Sequence, residues 1–249
     1  VYMDGLLVPE SEARISILDS SWMHGDKATE TTVTFNHKPF KLHEHIERLC
    51  RSMKVFRIDS GIDPAQMEKI THDTLEANLP LLGSDDEYLI YHSISAGVWD
   101  WFREDGKHYK SASVVVHCWP LDYRKFAKYY KTGVHAVTPS VRHIPPQCLD
   151  PKVKHHSRIL FRLADYEVKS IDPEGYVLLL DIYGNIAENI GGNFFIVTKG
   201  KLRTPGPRNV LCGISRETAL ELAQKLGIPA VQEDIQMYDV YNADEAFFT

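Results

Sequence analysis

A lysine at position 154 and a glutamate at position 188 are the residues whose types and spacing point most directly to chemistry. The lysine lies in Asp150-Pro151-Lys152-Val153-Lys154-His155-His156-Ser157-Arg158, ahead of an apolar stretch. The glutamate lies in Gly184-Asn185-Ile186-Ala187-Glu188, shortly before Asn193-Phe194-Phe195. A lysine amine condenses with an aldehyde to a Schiff base, and a carboxylate among apolar strands can keep a neighbouring ring nitrogen protonated. Such a pair suits a carbonyl cofactor whose ring withdraws electrons. Two plainer assignments stay open: a solvated lysine in a Lys-Val-Lys loop, with Lys152 as the competing amine, and a glutamate that closes a hairpin in water.

Gly213-Ile214-Ser215 precedes a helix with Leu220, Ala223 and Leu226 on one face. The N–H groups and dipole of its first turn would hold an anion, with the Ser215 hydroxyl adding a bond, and plain N-capping by Ser215 explains the same residues. Arg48 is a charge-assisted fork for a phosphate, or a surface arginine paired with Glu44 one turn earlier. His43 and His45 are two apart on a helix and His155 and His156 are adjacent, so neither pair converges on a metal. Trp99 and Trp101 fit a hydrophobic lid, and Arg103 beside them is a candidate clamp for a substrate carboxylate.

The elements that must position these groups read as follows. Val1 to Val8 is strand-like with a turn at Asp4-Gly5, and Val33 to Phe40 is a hairpin turning at Asn36-His37-Lys38. Ile46, Leu49, Cys50, Met53 and Phe56 recur at helical spacing, and Asp63-Pro64 opens a second helix to about Leu79. Tyr88–Ser95 and Ser113–Cys118 are strands. Residues 1–118 form a first α/β unit, 119–133 a charged and aromatic connection, and 134–249 a second, larger unit. The second unit is expected to hold a strand at Val134–Val141, a helix from His155 to about Lys169, a hairpin tipped by Gly184-Asn185, and a strand at Asn193–Val197. A helix over Ser215–Leu226 stopped by Gly227 follows, then a strand over Ala243–Thr249. The chain stops inside that last strand, and the expectation is that further C-terminal elements are absent.

The 249 residues carry 28 Lys+Arg against 34 Asp+Glu, a formal charge of −6, with 43% hydrophobic residues. No basic stripe suggests nucleic acid, and no apolar run approaches the ~20 residues of a membrane helix. The four cysteines, Cys50, Cys118, Cys148 and Cys212, are scattered without a CxxC pair, as in a reduced, cytoplasmic protein.

Taken in order, these pieces resemble the class IV, or fold-type IV, pyridoxal-phosphate aminotransferases. That group holds branched-chain, D-amino acid and (R)-amine transaminases together with aminodeoxychorismate lyases. The resemblance rests on His24-Gly25-Asp26 with Glu30, on Phe40-Lys-Leu-His-Glu-His45-Ile-Glu-Arg48-Leu49, and on Lys154. It rests further on Glu188 with Asn193-Phe194 and on Val210-Leu-Cys-Gly213-Ile214-Ser215-Arg216. It implies an α+β chain with a small α/β domain and a larger domain with a barrel-like sheet, and pyridoxal 5′-phosphate between them in a homodimer. Lys154 would hold the cofactor and move the substrate proton. Glu188 would pair with the pyridine nitrogen. Arg48, Gly213, Ile214 and Ser215 would take the phosphate, with Asn193 nearby.

The same resemblance puts Thr29, Glu30, Tyr91, Ala96 and Arg103 at the substrate pocket. Branched-chain enzymes place a carboxylate-binding arginine where Tyr91 stands, and D-amino acid enzymes place one where Ala96 stands. The aromatic residue that usually precedes Glu30 is Thr29 here. Lys154-His-His-Ser157-Arg158 is nearest to the lyase pattern, whereas Glu30 stands where the lyase carries threonine. An aminotransferase with an amino donor and a keto acceptor is therefore the leading expectation. A lyase on the same scaffold and a catalytically silent cofactor-binding protein are the alternatives.

Overall fold

The computed structural model of the chain describes residues 1–83, 85–100 and 111–249. They fall into two compact units, Val1–Lys131 with Lys154–Ser157, and Thr132–Val153 with Arg158–Thr249.

In the first unit, β1 (Tyr2–Met3) and β2 (Leu6–Leu7) form a hairpin around Asp4-Gly5, both with positive φ. A one-turn helix, α1 (Ser20–Met23), precedes β3 (Lys27–Phe35). The chain reverses at Asn36-His37, again with positive φ, into β4 (Lys38–Pro39). Helices α2 (Leu42–Phe56) and α3 (Pro64–Asn78) follow, then β5 (Glu87–Ser95) and β6 (Ser113–Leu121). Asp63 starts α3 with a full capping box, its side chain accepting from the Gln66 N–H at 2.8 Å while Gln66 reaches back. β6 runs past Cys118 to Leu121, so Trp119 to Leu121 are strand.

The six strands pair antiparallel in the order β2-β1-β6-β5-β3-β4. Ile46 and Leu49 of α2, fully buried, cover one face against Ala28, Ile90 and Ile94. Each such aliphatic side chain contributes roughly 1.5–3 kcal/mol by leaving water.

A short helix, α4 (Tyr129–Thr132), leads into the second unit. There β7 (Ala136–Val137) and β8 (Tyr176–Val177) pair in parallel. β7 is shorter than the strand expected over Val134–Val141. Helix α5 (Ile159–Ile171) begins four residues later than expected, because residues 154–157 are drawn instead onto β3. β9 (Phe194–Thr198) and β10 (Lys201–Thr204) form a hairpin through Lys199-Gly200.

Helix α6 (Ile214–Lys225) ends at Gly227 (φ +69°), where the Ile228 N–H reaches Ala223 O and the Gly227 N–H reaches Gln224 O, a Schellman closure. β11 (Ala230–Gln232) is parallel to β10, and after α7 (Met237–Tyr241) the strand β12 (Glu245–Phe248) pairs antiparallel with β9. Phe194, Ile196, Leu178, Ile186 and Ile235 form the core beneath β9. No helix among the described residues is long and apolar enough to cross a membrane.

Candidate active site

The first unit assembles four of the expected residues around β3. Glu30 points from the middle of the strand into α2 and is wholly buried. Arg48 clasps it with two bonds, Nε to Oε2 at 2.8 Å and Nη2 to Oε1 at 2.6 Å. His45 Nδ1 stands 3.0 Å from Oε1, and the Thr31 N–H donates to the same oxygen at 2.8 Å. Burial pushes the Glu30 carboxyl upward, but the bonds from His45 and Arg48 and the charges of Arg48 and Lys154 outweigh it. It is held well below the usual carboxylate range.

Glu30 faces the helices with its oxygens taken by protein donors, an arrangement that orients Arg48. Arg48 pairs with Glu30, not with Glu44 on its own helix. His45, one turn before Arg48, is the partner that the sequence left among the unassigned histidines.

Lys154 lies beside this cluster. Its N–H donates to Ser52 Oγ at 3.0 Å, and Ser52 in turn donates to the Arg48 carbonyl at 3.1 Å. The Lys154 carbonyl accepts from the Thr29 N–H at 3.0 Å, and the His156 N–H donates to Lys27 O at 3.3 Å around an antiparallel bridge between Ala28 and His155. Residues 154–156 thus act as an added strand, with Lys154 opposite Thr29 and His156 opposite Lys27. Ala28 and His155 turn to the helix side, where His155 meets Phe56 edge-on. Alternation along a strand then puts Lys154 on the opposite face of the sheet with Lys27, Thr29 and His156. Lys152, the competing amine, is exposed and paired with Asp150 at 2.9 Å.

That opposite face carries a cavity of about 480 Å³, lined among others by Lys27, Tyr91, Val115, His117, Trp119 and His156. Tyr91 stands 5.2 Å from the His117 ring and 5.7 Å from His156. Ala96 closes β5, its N–H bonded to Ser20 Oγ at 3.1 Å. Trp99 packs 4.4 Å from His24, whereas Trp101 and Arg103 lie outside the described residues.

The second unit assembles the acid. Glu188 is 6% exposed, which removes it from the water-facing hairpin position. Its Oε2 accepts from Asn193 Nδ2 and from the Leu211 N–H, both at 3.0 Å, and its Oε1 faces His143 Nε2 at 3.0 Å. His143 is itself buried, and its Nδ1 faces the Ile144 carbonyl at 3.1 Å. No sequence signal marked His143, because its partner is 45 residues away. An ionised carboxylate offers about four acceptor positions, of which Asn193 and the Leu211 N–H fill two while His143 Nε2 faces a third. One further N–H donor fits.

Asn193 also donates to Leu211 O at 2.8 Å and abuts the start of α6. A Cβ at Gly213 would come within 2.2 Å of Asn193 Oδ1, so only glycine allows this approach. Gly213 is the N-cap of α6, while Ile214 is buried and Ser215 is exposed on the first turn. The first-turn N–H groups fall outside the intrahelical ladder and suit an anion. Plain N-capping by Ser215 is thereby replaced, since Ser215 is the second residue of α6 and Gly213 is its N-cap. Among the described residues no three His, Cys, Asp or Glu side chains are grouped to hold a metal ion.

The family model for amino-transferase class IV matches residues 27–249. A putative branched-chain-amino-acid aminotransferase of Methanocaldococcus jannaschii is 31% identical over 252 residues, covering 100% of this chain and 83% of its own. A probable branched-chain-amino-acid aminotransferase of Thermotoga maritima is 30% identical over 88% of this chain and 71% of its own. Among solved structures, the branched-chain aminotransferase of Thermoproteus uzoniensis with norvaline superposes with a TM-score of 0.87 at 29% identity, covering 100% of this chain and 82% of that one.

Proposed function

Since the chain belongs to the class IV aminotransferases, with their fold and their pyridoxal-phosphate dependence, we propose that Lys154 carries the cofactor and that the amino donor is a branched-chain or similarly apolar amino acid. The observation that carries this reading is the pinning of the 154–156 segment along β3. Lys154 is bonded through both backbone groups onto the cavity face, while Lys152 stays in water.

When bound, pyridoxal phosphate supplies an aldehyde that takes up the amino group and a ring that draws electrons from the substrate carbon. The chain's own residues then have separate tasks. Lys154 would hold the aldehyde group and would move the proton at the substrate Cα. Glu188 would accept the N–H of the pyridine ring. His143, Asn193 and the Leu211 N–H fix the carboxylate so that it cannot turn away. Gly213, Ile214 and Ser215 hold the phosphate at the start of α6. Arg48, kept in one orientation by Glu30, is the cation we assign to that phosphate. Donor and acceptor use the site in turn, giving ping-pong kinetics.

The apolar donor is supported by the cavity wall, with Leu89, Val115 and Trp119 beside Tyr91, and by the names of the relatives. We also read the enzyme as a cytoplasmic homodimer. The exposed Ile17, Leu18, Trp22 and Met23 suit a subunit interface, and four cysteines outside any disulfide suit a reducing compartment. A donor screen with 2-oxoglutarate as acceptor tests the specificity. Leucine, isoleucine and valine should exceed aspartate and lysine in kcat/KM by at least about a hundredfold, and equal rates for aspartate would refute the apolar donor.

A further inference from the structure

The cavity on the open face of the first sheet holds a cation that the reaction has not yet used. Lys27 opens β3, pairs with Ser95 of β5, and lines the cavity half-buried. Burial pushes its amine pKa down, and the charge of Asp19 opposes that shift. Asp19 makes no ion pair with it among the described residues. Its oxygens accept instead from the Ser21 N–H and Oγ and from the hydroxyls of Ser95 and Ser113. Among the described residues the cavity lining contains no carboxylate. Two imidazoles, His117 and His156, are its other titratable bases, and the remaining wall is largely apolar. Burial, and then the charges of the terminal amine and of Lys27, push the His117 pKa down.

An ammonium taken partly out of water with no ion-pair partner among the described residues is a cost that an incoming anion recovers. Position adds to this. Lys27 stands opposite His156, which makes Lys154 its diagonal neighbour on the same face, about 7–8 Å away across the strands. Two long lysine side chains at that spacing reach toward adjacent atoms of one small molecule.

We propose that Lys27 binds the carboxylate of the substrate, with Val115, Trp119 and Leu89 taking its hydrocarbon chain. This deepens the aminotransferase reading and rests on it.

The test uses holoenzyme and two probes, 4-methylpentanoate and the uncharged 4-methylpentanamide, titrated calorimetrically into wild type, Lys27→Met and Lys27→Arg. Cofactor loading is followed separately through visible absorption. Lys27→Met should weaken the carboxylate at least about tenfold and leave the amide unchanged. Lys27→Arg should restore most of the loss, and in turnover Lys27→Met should raise KM for the keto acid more than it lowers kcat. Unchanged carboxylate binding in Lys27→Met, or an equal loss for the amide, would overturn the inference. A wild type that takes up cofactor yet ignores 4-methylpentanoate would overturn it while leaving the aminotransferase reading intact. A wild type that takes up no cofactor would remove both.

Discussion

Replacing Glu30 with glutamine tests the buried cluster behind the site. The substitution keeps the shape of the side chain and removes one charge from a position with no solvent exposure. Four donors now meet the carboxylate: Arg48 Nε and Nη2, His45 Nδ1 and the Thr31 N–H, at 2.6–3.0 Å. The amide has one acceptor oxygen and turns an NH₂ group toward the guanidinium. Arg48, itself 6% exposed, would lose the charged oxygens that now face its Nε and Nη2. Breaking a buried pair from one side costs about 3–5 kcal/mol. Urea titration of Glu30→Gln, followed by circular dichroism, should show that loss with little change in m. The double variant Glu30→Gln/Arg48→Met should recover part of it, since the guanidinium that used those oxygens is then gone. A loss below about 1 kcal/mol, or a double variant no more stable than the single, would refute the buried ion pair.

Two other outcomes follow from the geometry. His92, across β5 from Glu30, is fully buried, and burial takes its pKa down to about 4. Thr71 gives its hydroxyl proton to Met67 O and so receives the His92 Nε2 proton, which leaves the ring neutral. The unfolded chain binds that proton from about pH 6.5 downward. His92 therefore supports the fold fully above pH 6.5 and loses about 3 kcal/mol of that support as pH falls to 4. A His92→Leu variant should show a flatter stability profile over that window, and an unchanged slope would mean another group titrates. Glu188→Gln should leave cofactor uptake intact but lower kcat by about a hundredfold or more, measured by single-turnover absorbance; a rate equal to wild type would make the acid structural.

Much of this was legible from local chemistry. The capping box at Asp63-Pro64, the turns at Asp4-Gly5 and Asn36-His37, the apolar stripe of α2 and the Gly227 stop depend on neighbours within a few residues, so the sequence displays them. Lys154, Glu188 and Gly213 were singled out by their motifs, and the roles given to them here are proposals. What stayed hidden was set by contacts distant in the chain. The segment after Lys154 has helical spacing, yet its backbone hydrogen bonds go to β3 and Ser52, over a hundred residues away in sequence, and the helix waits until Ile159. His143, His45 and Lys27 matter through partners that no spacing rule connects to them. Glu30 was put at the pocket by the resemblance, and the helices that cover its face of β3 are set by packing between residues distant in the chain.

The central claim is that the Lys154 amine is the one joined to the cofactor. Holoenzyme reduced with borohydride, digested and analysed by mass spectrometry should carry the phosphopyridoxyl mass on the peptide containing Lys154, with the fragment ions placing it there and not on Lys152. Lys154→Ala should fold normally and carry none. The same mass on another lysine, or loaded enzyme with Lys154 unmodified after reduction, would contradict the account.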